Sequence, residues 1–126
     1  RFAVDVADHV DVLYELANNA QVHLRISATS GLSAGNQMWI YGSEGTIHTN
    51  HERKIFAGKS GDAKLVEVPN PREAQARYRV EEEFINAIRG IEEVKMNTFA
   101  MGVDNMEFVE AVYRSSKSGA AVHLPL

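Results

Sequence analysis

One stretch constrains this chain more than any other: Met38-Trp39-Ile40-Tyr41-Gly42-Ser43-Glu44-Gly45-Thr46-Ile47-His48. Two β-rich runs flank a Gly-Ser-Glu-Gly turn, with glycine at each end where the backbone can need positive φ. In the first run Met38 and Ile40 fall on one face, and Trp39 and Tyr41 on the other. A strand that is apolar on both faces is covered above and below, which places this hairpin in the middle of an antiparallel sheet. The remaining chain is then expected to extend that sheet or to cover one of its faces.

Upstream, Phe2, Val4 and Val6 alternate with Ala3 and Asp5, and Val10, Val12, Tyr14 and Leu16 alternate with Asp11, Leu13 and Glu15. Period-two patterning predicts strands. Asn18-Asn19 supplies residues that tolerate the left-handed conformation of a tight hairpin. The return strand puts Ala20, Val22, Leu24, Ile26 and Ala28 on one face and Gln21, His23, Arg25, Ser27 and Thr29 on the other. A loop spans Gly31 to Gly35, and further short strands are expected over 53–57 and 63–68, joined by Gly58-Lys59-Ser60-Gly61-Asp62. The first two-thirds of the chain thus reads as a β-meander.

The pattern then switches to helix. Asn70-Pro71-Arg72-Glu73 offers an N-cap, a proline at the first helical position and an acid at the third. Tyr78, Phe84, Ile85 and Ile88 form a helical stripe that Gly90 can end, with Glu81, Glu82 and Glu83 on its surface. A second helix is expected to begin near Thr98, to carry Phe99, Met106, Val109, Val112 and Tyr113 inward and to stop at Gly119, with Arg114 and Lys117 suiting its dipole. Ala121 to Leu124 is β-like and is stopped by Pro125. The expected fold is α+β: a mostly antiparallel, open-faced sheet with two or more helices packed on one face. At 126 residues a single domain, 1–126, is expected.

Thirteen basic and seventeen acidic residues are mixed along the chain, for a net charge of −4, so neither nucleic acid nor an anionic membrane is an expected partner. No cysteine is present, which excludes a disulfide framework and any thiolate ligand or nucleophile and fits a cytoplasmic protein. No apolar run approaches the ~20 residues of a membrane span. Arg1 opens strand-like sequence without an initiator methionine, so the chain reads as a piece of a longer protein.

Four motifs in order carry a resemblance. The run Gly102, Glu107, Glu110, Ala111, Tyr113, Ser115, Gly119, Val122, Leu124 and Pro125 resembles the end of the glucose–fructose oxidoreductase, inositol dehydrogenase and MocA (Gfo/Idh/MocA) family. Phe84-Ile85-Asn86-Ala87-Ile88 is similar to that family's Phe-x-x-Ala-Ile helix, and Ile40 to Ile47 to its Ile-x-Gly-x-x-Gly-x-Ile turn. Asn18-Asn19-Ala20 stands where the family has Asn-Gly-Ala. Asn19 in place of glycine, Met101 in place of an acid and Ala120 in place of arginine depart from the pattern. The family's glycine-rich phosphate loop and its Glu-Lys-Pro lysine are also absent.

The resemblance therefore implies the C-terminal substrate and oligomerisation domain of an NAD(P)-dependent oxidoreductase acting on a sugar, polyol or related small metabolite. It implies no catalytic residue and no cofactor site in this stretch; NAD or NADP would belong to an N-terminal Rossmann domain of the parent. The uncovered sheet face would form a homodimer or homotetramer. The alternative is a non-catalytic β-sheet binding or dimerisation module.

Candidate substrate-binding residues are Tyr78, His23 and Arg25. His23 and Arg25 project from the polar face, where interface packing is the first reading and substrate contact the second. Tyr78 stands near the start of the first helix, where the resemblance implies a substrate-contacting tyrosine; a core or rim tyrosine with a satisfied hydroxyl is the equal alternative. Asp5 and His9 match an Asp-x-x-x-His pattern that the family uses at a helix start; on a strand, at ~3.3 Å per residue, such positions lie about 13 Å apart and do not converge. His48 and His51 are expected to diverge at a strand end as solvated side chains, with no metal between them.

Overall fold

A computed structural model describes residues 6–71 and 78–126. They contain six strands and two helices in two compact units, Arg1–Ala76 and Arg77–Leu126. The architecture is α+β with open antiparallel sheets.

In the first unit β1 (His9–Glu15) and β2 (Gln21–Ser27) form a two-stranded antiparallel sheet. Burial along β1 alternates residue by residue, as the period-two pattern requires: Val10, Val12 and Tyr14 are half-buried, and the residues between them are exposed. The connection is the five-residue segment 16–20, in which Asn19 takes φ 64°, the left-handed conformation that asparagine tolerates better than most residues. Leu16 N–H donates to Ala20 O at 2.9 Å, which sets Glu15 opposite Gln21 and Asp11 opposite Arg25. The strand-like residues Arg1 to Asp5 lie outside the described part.

The other four strands, β3 (Met38–Tyr41), β4 (Gly45–Thr49), β5 (Ile55–Lys59) and β6 (Val66–Val68), form a meander in sequence order. Two expectations are corrected here. Among the described residues there are two sheets rather than one, and β3 is an edge strand rather than a central one. Apolarity on both faces does not count hydrogen-bonded neighbours, and it does not report cover here either, because all four residues of β3 are exposed. The segment 28–37 leads from β2 to β3 without pairing them.

β5 begins at Ile55 rather than residue 53, because Asn50 organises the preceding turn. Its Oδ1 accepts Glu52 N–H and Lys54 N–H, both at 3.1 Å, and Arg53 takes φ 62°. Gly58 lies inside β5, opposite Thr46, instead of in the next turn. That turn is closed by Asp62, whose Oδ2 accepts Lys59 N–H at 2.8 Å.

In the second unit α1 spans Val80–Ile88. The expected start at Asn70-Pro71 is not helical, and residues 72–77 lie outside the described part. Arg79 holds the N-cap position without a side-chain cap. The helix ends in a Schellman motif: Gly90, at φ 69°, donates to Ala87 O, and Ile91 N–H reaches Asn86 O. The segment after it folds back on α1. Glu92 accepts from Arg79 at 2.9 Å and from Asn86 at 2.7 Å, and Lys95 N–H reaches Glu83 at 3.4 Å. Glu83 is consequently buried, not part of a solvated acidic surface as the sequence had implied.

α2 (Phe99–Ser118) begins and ends where its caps dictate. Thr98 Oγ1 accepts Met101 N–H at 3.2 Å, and Gly119 takes φ 69°. Its apolar stripe does not point into a core: Phe99, Met106, Val109 and Tyr113 are exposed, while Ala111 is buried. Ala121 to Leu124 form no strand.

Candidate functional site

The exposed face of the β1–β2 hairpin carries a four-residue polar constellation. The register sets Asp11 opposite Arg25 and Leu13 opposite His23, so His9, Asp11, His23 and Arg25 share one face. The Asp11 carboxylate is the hub: Oδ1 accepts from Arg25 Nε at 2.8 Å and from His23 Nε2 at 3.0 Å, and Oδ2 accepts from His9 Nε2 at 2.9 Å. The Arg25 hydrogen bond, followed by those of His9 and His23, holds the Asp11 carboxyl well below the usual carboxylate range. Asp11 in turn raises the guanidinium of Arg25.

An ionised carboxylate only accepts, so each imidazole turns an Nε2–H toward it. In the neutral rings Nδ1 then remains as an acceptor, and the guanidinium keeps its Nη donors. The face can thus both donate to and accept from hydroxyls. No three His, Cys, Asp or Glu side chains among the described residues are grouped to hold a metal ion.

Two of the three sequence-derived candidates, His23 and Arg25, therefore meet on one carboxylate. Tyr78 does not join them in the same unit: it lies in the helical unit, two residues ahead of α1, and is exposed. Asp11 and His9 were missed as partners. The signal was present in the spacing, because pairing Glu15 with Gln21 across Leu16–Ala20 brings Asp11 to Arg25. The Asp-x-x-x-His pair cannot be placed, since Asp5 lies outside the described residues.

A second constellation crosses the four-stranded sheet. Trp39, His48, Phe56 and Glu67 are direct cross-strand neighbours on β3, β4, β5 and β6. Trp39 stacks on His48 with centroids 3.8 Å apart, and His48 on Phe56 at 5.8 Å. Tyr41 stacks beside Trp39 at 5.9 Å. His48 is therefore not the solvated side chain expected from sequence: its Nε2 is buried and has no hydrogen-bond partner among the described residues. His51 sits exposed in the turn after β4.

Neither protein-family models, nor curated proteins, nor solved structures match this chain. Among the described residues no helix is long and apolar enough to cross a membrane.

Proposed function

We propose that this chain is the substrate-side and assembly domain of a cytoplasmic NAD(P)-dependent oxidoreductase acting on a sugar, polyol or related small metabolite. The nicotinamide site and the lysine that moves the proton would belong to a Rossmann domain elsewhere in the parent protein. The observation that carries this reading is the fixed cluster on the open hairpin face. Asp11 orients two imidazoles and a guanidinium there, so that donors and acceptors stand ready for hydroxyl groups without further reorganisation. The motif positions support it as well: the Gly42–Gly45 turn joins β3 to β4, and Gly119 ends α2.

On this reading Arg25 and His23 wall the pocket and position substrate hydroxyls, and the open sheet builds a homodimer or homotetramer. The full-length gene product tests the reading. A glycine-rich strand–turn–helix encoded upstream, together with saturable NADH or NADPH binding by fluorescence titration, is the expected result. A parent that lacks both refutes it.

A second reading, a non-catalytic assembly module, is favoured by one observation. The four-stranded sheet leaves Met38, Ile40, Ile47, Val66 and Val68 exposed on one face and Trp39 and Tyr41 on the other. Association of the full-length protein without nicotinamide binding would select it.

A further inference from the structure

We infer that the β3 edge is a symmetric pairing site for a second copy of this chain, in one defined register. The two edges of the four-stranded sheet are β3 and β6, and they differ in kind. β6 carries Glu67, with Lys64 before it and Pro69 after it, the charged and proline residues that blunt an edge. Among the described residues β3 has no such protection: no charged residue occurs from Ser30 to Ser43, and all four strand residues are exposed. Met-Trp-Ile-Tyr is an unguarded hydrophobic edge.

The ladder fixes which backbone groups that edge offers. Gly42 N–H donates to Gly45 O at 2.8 Å, and Ser60 N–H to Glu44 O at 2.8 Å. Antiparallel pairs alternate, so Met38 and Ile40 direct their N–H and C=O toward β4, whereas those of Trp39 and Tyr41 face outward. A second β3 running antiparallel about a two-fold axis perpendicular to the sheet keeps like faces together only when a residue lies on that axis. With Ile40 on the axis, Trp39 comes opposite Tyr41 of the second copy, and Tyr41 opposite its Trp39. Both are then hydrogen-bonded pairs that exchange two N–H···O bonds each, four in all.

The side chains agree with this register. Trp39 gains an aromatic cross-strand neighbour, so the row Phe56–His48–Trp39 continues into Tyr41 of the second copy. Met38 comes opposite Gly42, which has no side chain to obstruct it. Ile40 meets itself as a non-hydrogen-bonded pair, with Cα atoms about 4.5 Å apart. The partner is thus another copy of this chain, because the edge is complementary to itself. The contact names the strand edge through which the assembly in the proposed function would form, and it requires no nicotinamide, so its test is separate from that of cofactor binding.

The absence of cysteine makes the test direct. Ile40→Cys places two thiols across the axis within disulfide reach, since linked Cα atoms lie about 4.4–6.8 Å apart. The expected result is an interchain disulfide under mild oxidation of Ile40→Cys, formed at least about tenfold faster than with Ile47→Cys on the same face of β4. Equal or slower crosslinking at residue 40 overturns the inference. Tyr41→Pro supplies the second arm: it deletes an outward N–H while sparing the bonds to β4. Folded Tyr41→Pro, verified by tryptophan emission, is expected to dimerise roughly tenfold more weakly in sedimentation velocity. Undiminished dimerisation by a folded variant overturns the inference, as does an unmodified chain that stays monomeric at high concentration. Should the proline variant not fold, the crosslinking comparison still decides.

Discussion

Gly45→Ala tests the tight approach of β4 and β5 on which the four-stranded sheet depends. Gly45 opens β4 opposite Lys59. A methyl group there would overlap the Gly58 carbonyl oxygen and stand 3.1 Å from Lys59 Cα. The obstruction is backbone, so no side-chain rotation relieves it and the strand pair itself must separate. Forced overpacking costs about 1–3 kcal/mol. Restricting the unfolded chain returns about 0.4–1 kcal/mol of that. The net destabilisation is therefore about 1–2 kcal/mol, a factor of roughly 5–30 in the folded-to-unfolded ratio.

The assay is urea unfolding followed by emission of Trp39, the single tryptophan, which stacks on His48 of β4. Gly102→Ala is the control: it lies within α2 with open space around it. Alanine there is expected to stabilise the helical unit by about 0.5–1 kcal/mol through helix propensity, read as helical ellipticity in urea because Gly102 and Trp39 lie in different units. If Gly45→Ala unfolds at the same urea concentration as the parent chain, the steric argument is wrong.

Three further outcomes are expected. Thr98→Ala removes the acceptor for Met101 N–H and should lower the stability of the helical unit by about 1 kcal/mol, read as lost helical ellipticity in denaturant. Asp11 has a folded-state pKa below its unfolded value, so its contribution is fully present above about pH 4 and is lost as pH falls below that point. Asp11→Asn should therefore flatten the acid limb of the pH–stability profile, and an unchanged limb would show that the three hydrogen bonds do not persist. Arg25→Ala should broaden the ring resonances of His23 by freeing their shared carboxylate anchor, which NMR at neutral pH would detect.

What could be read from the sequence is what depends on near neighbours in the chain. Alternation marked β1 and β2 and assigned their faces. Thr98 and Gly119 marked both ends of α2, and Asn19 and the Gly42–Gly45 turn marked two hairpins. Each of these follows from the conformational preference of one residue or from a spacing of a few residues. Ala121 to Leu124 shows the limit of such reasoning, because β-like composition makes no strand without a partner strand.

Everything that joins distant residues came from the fold. The length of one hairpin loop decided that Asp11, rather than a neighbour on the other face, would receive Arg25 and His23. Cross-strand register stacked Trp39, His48 and Phe56, turning an apparently solvated histidine into a half-buried ring. The edge position of β3 was equally invisible, since a side-chain pattern records burial whereas edge or centre is a matter of backbone hydrogen bonds to strands far along the chain. Shifting a register by one residue reverses the face of every side chain while leaving the sequence pattern unchanged, which is why local reading named His23 and Arg25 but neither the carboxylate that joins them nor the arrangement of the four side chains.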